Sequence, residues 1–267
     1  ISNSITLFLL NLMVYKITGN ITTAFMSMLL YGTSAWPANY YFLFSYVPFA
    51  SMISLSAVYF LYNSYINEKR KIFYIISSGV LSGLFLGSSP SGSLMIFLMI
   101  ATLFYLFPVR LKGNQKILIA YLATIFSVII IFFISGSGSH MLVHLFENLK
   151  GHYLDAYRKF GYIPKSPFFS FLWIAGTYNL PLIILFIACT IFVLSFLKNK
   201  KWVNDIESFK NKKFLLILGA IIWIHIIAID ILPFTKTARN HFQIYPLLCI
   251  AAASFLYFMG SEYFYNY

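Results

Sequence analysis

What most constrains this chain is the length of its uncharged apolar runs. Between Ile72 and Phe107 there is no Asp, Glu, Lys or Arg, and the longest polar interruption is the turn Ser88-Ser89-Pro90-Ser91. The same character extends over the whole sequence, in which 10% of residues are charged and 60% hydrophobic. An ordinary water-exposed domain carries roughly 25% charged residues, so most of the exterior is expected to meet something apolar, and a bilayer is the solvent that fits. Disorder is excluded because 29 Phe and 20 Tyr supply abundant surface to bury. The two cysteines, Cys189 and Cys249, fall inside apolar runs and are expected to act as small hydrophobes rather than as a disulfide framework.

A hydrocarbon core ~30 Å thick needs ~20 helical residues to cross it, and nine runs approach that size. They cover about Ile1 to Tyr15, Ile21 to Trp36, Tyr40 to Tyr65, Ile72 to Gly87, Gly92 to Phe107, Ile117 to Ile134, Asn179 to Leu197, Phe214 to Ile231 and Phe242 to Met259. Pro37 and Pro48 mark local breaks or kinks in or beside the third run. The expected fold is all-α: a single polytopic transmembrane bundle of about nine spans over residues 1–267, with a long outer loop at 135–177. The first run is short and begins at the first residue, so it looks cut.

Alternation of the spans divides the loops between two sides. Thirteen basic residues share one side: Lys16, the trio Lys69 to Lys71, then Arg110, Lys112, Lys116, Lys198, Lys200, Lys201, Lys210, Lys212 and Lys213. Six share the other: Lys150, Arg158, Lys159, Lys165, Lys236 and Arg239. The positive-inside rule makes the first side cytoplasmic. The net charge of +12 is then topological, and nucleic acid is not an expected partner.

Most potentially reactive side chains fall on the other face. The 135–177 loop carries His140, His144, Glu147, His152, Asp155, Arg158, Lys159 and Lys165 among tyrosines, phenylalanines and Trp173. These aromatics suit either an interfacial belt or the walls of a lipid-substrate cleft. His140 and His144 stand four residues apart, the spacing that puts two imidazoles on one helix face, and so form a weak candidate site for a divalent cation. Nothing in the sequence requires a cofactor. Gly138-Ser139-His140-Met141 also resembles the remnant of a cleaved expression tag. In the second outer segment, Lys236, Arg239 and His241 lie at an expected helix start and form a candidate anion site, against the alternative that Lys236 and Arg239 meet headgroups or pair with Asp230. Glu147, Asp155 and Asp230 are the acids available as a general base. Glu68, Asp205 and Glu207 read as solvated partners of nearby lysines, and His225 as a helix-to-helix hydrogen-bonding group.

Several stretches together resemble the polytopic membrane glycosyltransferases of the type-C fold, the group that includes protein mannosyltransferases and bacterial aminoarabinose transferases. The residues that carry the resemblance are Val14 to Ala24, the glycine-spaced run Gly79 to Gly87 with Ser91-Gly92, whose glycines suit close helix contact, Pro164 to Phe169, and Lys236 to Arg239 followed by Pro246. The resemblance implies inverting transfer of a sugar from a polyprenyl-phosphate carrier to an acceptor at the outward face of the cell membrane. On this expectation Arg239 and Lys236 hold the carrier phosphate with help from His241 and Lys165, because cations beside a leaving phosphate stabilise the transition state. The resemblance implies a fragment lacking the first span and first outer loop, with the family's acidic catalytic residues upstream of Ile1; Ser88, Ser89 and Pro90 stand where a lysine is frequent, and Asn240 where an aromatic is. A surface-polysaccharide polymerase or ligase, a lipid transporter or flippase, and a non-catalytic membrane subunit are the alternatives.

Overall fold

Helix formation follows the apolar runs, and the ends of the helices show why. The computed structural model describes residues 1–34, 46–88, 92–108, 111, 113–135, 180–198, 206–231 and 244–264. Among the described residues the helices are α1 (Ser2–Thr18), α2 (Ile21–Gly32), α3 (Tyr46–Ile66), α4 (Lys71–Ser88), α5 (Gly92–Leu106), α6 (Asn114–Ile134), α7 (Leu180–Lys198), α8 (Ile206–Ile231) and α9 (Tyr245–Phe264). Each of the nine apolar runs coincides with one of them. Pro48 falls in the first turn of α3, where its missing N–H has no intrahelical partner to lose. The largest boundary difference is at α8, which starts at Ile206 rather than near Phe214. Its first turns contain Lys210, Lys212 and Lys213, and straight-chain side chains lose little rotamer freedom in a helix.

The chain divides into two compact units. The first comprises Ile1–Leu55, Ser170–Ile226 and His241–Tyr267. Here α1 and α2 form an antiparallel hairpin whose corner is written in three residues. Gly19 takes a left-handed conformation, φ 68°, and its N–H donates to the Tyr15 carbonyl at 2.7 Å. Asn20 then caps α2, its Oδ1 accepting from the Thr23 N–H at 2.9 Å. The Tyr31 hydroxyl donates to Asn3 Oδ1, which ties the far ends of the hairpin together. Asn211 of α8 donates through Nδ2 to the Ile17 carbonyl at 3.0 Å, satisfying an acceptor at the C-terminal end of α1. Phe186 joins α7 to both α8 and α9, its ring centroid lying 5.8 Å from Trp223 and 6.1 Å from Phe255.

The second unit comprises Ser56–Phe169 and Ile227–Asn240. The part of α3 that lies in it runs antiparallel to α4, since Phe60 meets Tyr74 and Ser78 Oγ donates to the Ala57 carbonyl at 2.8 Å. In contrast α4 and α6 are parallel. Gly79 faces Thr124 and Gly83 faces Val128, so the register advances in the same direction on both helices. These are the glycines that the sequence assigns to close helix contact, and that use is the observed one: a Cβ on Gly79 would stand 2.9 Å from the Thr124 Cβ.

The nine-span transmembrane bundle of the type-C fold is overturned. Only two described helices are long and apolar enough to cross a membrane, over Asn114–Phe132 and Lys210–Ala228; Ile21–Gly32, Lys71–Leu86, Met95–Leu106, Leu180–Leu194 and Tyr245–Ser261 are shorter apolar helices. A helix of 12 residues such as α2 reaches only ~18 Å at 1.5 Å per residue, against the ~30 Å of a hydrocarbon core. The physical reason for the misreading is clearest in α9. Leu247, Leu248, Cys249, Ile250, Ala251, Ala252, Ala253, Ser254 and Phe255 are all buried. This helix packs against α1, α2 and α7, so it is apolar all round because protein surrounds it.

Candidate functional site

The residues singled out in the sequence fall where the structure does not describe them. Lys165, His140, His144, Glu147 and Asp155 lie within 136–179, and Lys236, Arg239 and His241 within 232–243, outside the described residues. Asp230 lies in α8, but its side chain is outside the described set. Among the described residues no group of three or more His, Cys, Asp or Glu is placed to hold a metal ion. The described residues include two buried hydroxyl clusters and exposed apolar sides on several helices, among them α2, α6 and α7.

The first cluster lies in the first unit, where the Tyr31 and Tyr245 rings pack with their planes tilted by 40° and their centroids 5.7 Å apart. The Tyr245 hydroxyl donates to Ser34 Oγ. Burial holds both phenols above the ordinary tyrosine range, and for Tyr245 the neighbouring Cys249 adds to the shift. Cys249 and Cys189 are free thiols, both buried, and burial pushes Cys189 up to about 11. Thiols in that state are poor nucleophiles at neutral pH. In the second unit Ser82 Oγ lies 2.8 Å from the Tyr121 hydroxyl and donates to the Ser78 carbonyl, also at 2.8 Å. Both clusters consist of buried hydroxyls with partners close by, an arrangement that fixes helix register.

Of the two longest apolar helices described, α6 is the less enclosed, and its outer side forms a continuous surface. Ile117, Tyr121 and Ile125 turn inward and are at most 5% exposed, whereas Ile119, Phe126, Ile130, Ile131 and Ile134 are between 55% and 81% exposed. Ala123 and Ser127 complete the exposed side. Residues 119, 123, 126 and 130 follow the four-three-four spacing of a helix-packing seam. Beyond the start of this seam is a basic end. Extending the Gly79–Thr124 register back by eight residues brings Lys71 level with Lys116. Lys69 and Arg70 immediately precede Lys71 and are exposed, as is Lys116. Lys71 pairs with Glu68, and its ammonium stands 5.4 Å from the centre of the Phe107 ring.

The sequence matches no protein-family model, no curated protein and no solved structure. The resemblance to type-C glycosyltransferases therefore does not hold, and the transfer of sugar from a polyprenyl-phosphate donor falls with it. With two helices of spanning length among the described residues in place of nine, the multi-pass placement in the cell membrane and the assignment of a bilayer and a lipid-linked donor as partners are also overturned. Each motif that carried the resemblance was a short run of common residues. Two of them have plain structural uses here: Gly19 and Asn20 form a helix corner, and Gly79 and Gly83 form a helix contact.

The α6 seam and its basic end were missed as a unit. The sequence shows Lys69, Arg70, Lys71 and Lys116 as members of two separate loops, and the register of α4 against α6 unites them. The four-three-four spacing of Ile119, Ala123, Phe126 and Ile130 was present in the sequence, but the surrounding isoleucines and phenylalanines obscure which side is covered.

Proposed function

We propose that this chain is a helical interaction module whose working surface is the exposed apolar seam of α6. The observation that carries this reading is the contrast across one helix: Ile117, Tyr121 and Ile125 are packed away while Ile119, Phe126, Ile130, Ile131 and Ile134 are open. Contiguous apolar surface of this kind marks a place where another molecule binds. Two mid-seam residues are small, Ala123 and Ser127, which lets a facing helix approach closely between the larger knobs.

The size of the effect sets the kind of binding. Covering the exposed part of five large side chains gains about 1.5 kcal/mol each, or about 7 kcal/mol gross, and association costs about 4–15 kcal/mol in lost freedom. The seam alone therefore supports reversible contact rather than a permanent assembly.

The test uses a fluorescent synthetic helix carrying leucines at three-four spacing, titrated with the whole chain. Replacing Phe126 and Ile130 together by Asp is expected to weaken binding by about 30-fold or more, equivalent to about 2 kcal/mol, with the circular dichroism spectrum unchanged. Equal affinity for the parent and the double variant rejects the seam as the working surface. Because α6 is also one of the two described helices of spanning length, uptake by lipid vesicles is measured in parallel. Uptake that the same double substitution abolishes, with no peptide binding, rejects a protein partner.

A further inference from the structure

Resting on that reading, we infer that the partner is an amphipathic helix with acidic residues in its last turn, docked antiparallel to α6. The seam is charged at one end only. At its start stand Lys116 and, through the α4–α6 register, Lys71, with Lys69 and Arg70 beside them. Glu68 is the one carboxylate in this stretch, and it is paired with Lys71. Neither α4 nor α6 has an acidic residue in its first turn, and α6 has none anywhere. The opposite end of the seam is Ile130, Ile131 and Ile134, followed by Ser135, with no charge.

Basic side chains at a helix N-terminus add positive charge where the helix dipole is already positive. Two parallel helices, α4 and α6, set those ends on the same side of the unit, and among the described residues of this corner Glu68, already paired with Lys71, is the one carboxylate beside four basic side chains. A partner that supplies carboxylates at this point removes the repulsion. A helix also carries partial negative charge at its own C-terminal end. Placing that end, with acidic residues, against Lys116 aligns both terms, and the remaining length of the partner then lies along Ile119, Phe126, Ile130 and Ile134. A parallel partner would set two positive helix ends side by side.

Charge also argues against a second copy of this chain as the occupant. Two α6 helices side by side and parallel would oppose Lys116 to Lys116. Set antiparallel, each Lys116 would meet the isoleucine end of the other, where α6 provides no carboxylate. A flat anionic lipid surface would satisfy the basic end without reading helix direction, and this difference makes the two occupants separable.

The experiment uses three synthetic helices with the same leucine seam. One carries three glutamates in its last turn, one carries them in its first turn, and one carries lysines in its last turn. The first is expected to bind the whole chain about tenfold more tightly than either of the others at low salt, with the preference collapsing at about 1 M salt. Replacing Lys69 and Lys116 together by Glu is expected to invert the order of the first and third peptides. Equal affinity of the two glutamate peptides overturns the antiparallel docking while leaving the seam in place as the working surface. If none of the three binds, the underlying reading fails. If vesicles of phosphatidylcholine and phosphatidylglycerol take up the chain and the first peptide cannot displace it, the occupant is a lipid surface and the inference is overturned.

Discussion

Gly83 of α4 faces Val128 of α6 so closely that a Cβ built on the glycine would stand 2.7 Å from the valine Cβ. Real Cβ atoms do not approach at this distance, so the absence of a side chain at position 83 sets the separation of the two helices. Gly79 repeats the contact one turn away, against Thr124 and the Tyr121 carbonyl. The outward presentation of the α6 seam follows from this pair of contacts, since they fix which side of α6 turns inward.

Gly83→Ala is therefore expected to destabilise the chain. A helix-interior glycine replaced by alanine ordinarily gains about 0.8–1 kcal/mol, but overpacking against Val128, a β-branched neighbour with little freedom to move, costs about 1–3 kcal/mol. Overpacking should win, with a net loss of up to about 2 kcal/mol. Gly260→Ala is the control, because nothing lies within 4 Å of the added methyl, and it should raise stability. Thermal melts of the two variants should move in opposite directions; a rise in both would show that the α4–α6 contact yields easily.

The Ser82–Tyr121 hydrogen bond is expected to couple α4 to α6 energetically. Tyr121→Phe leaves the ring packed and removes only the hydroxyl, at a cost of about 0.5–1.5 kcal/mol. Ser82→Ala should cost a similar amount, and the double variant less than the sum, because the remaining partner no longer loses anything. Denaturant unfolding of the four proteins of this cycle measures the coupling. Strict additivity would mean that the two hydroxyls do not stabilise one another.

Alkaline sensitivity should come from Tyr31 and Tyr245. Both phenols are held above the ordinary value near 10 by burial, so the folded state keeps its protons where the unfolded state has lost them. Their contribution to stability is complete below about pH 10 and declines as pH rises from there toward their folded values, by about 1.4 kcal/mol per pH unit for each phenol. Urea midpoints should hold steady up to about pH 10 and then fall, and Tyr31→Phe with Tyr245→Phe should flatten that fall. An unchanged alkaline slope in the double variant would assign the effect to other groups.

The sequence by itself determined the helices. Uncharged apolar runs and the Gly19-Asn20 corner specify local structure through chain geometry and capping, which involve only neighbouring residues. Nine runs read from the sequence coincide with α1 to α9, and the glycine spacing of α4 pointed correctly to close helix contact. The tertiary structure alone decided what each apolar face meets. The run from Leu247 to Phe255 and the run from Ile117 to Ile134 look alike as strings, yet the first is enclosed by neighbouring helices and the second is open along one side. Hydrophobic attraction has no direction and names no partner, so a locally apolar helix reads the same whether other helices or some outside molecule surround it. The basic end was illegible for a related reason: Lys71 and Lys116 come level only through the parallel register of two helices, a non-local fact that no spacing along the chain expresses.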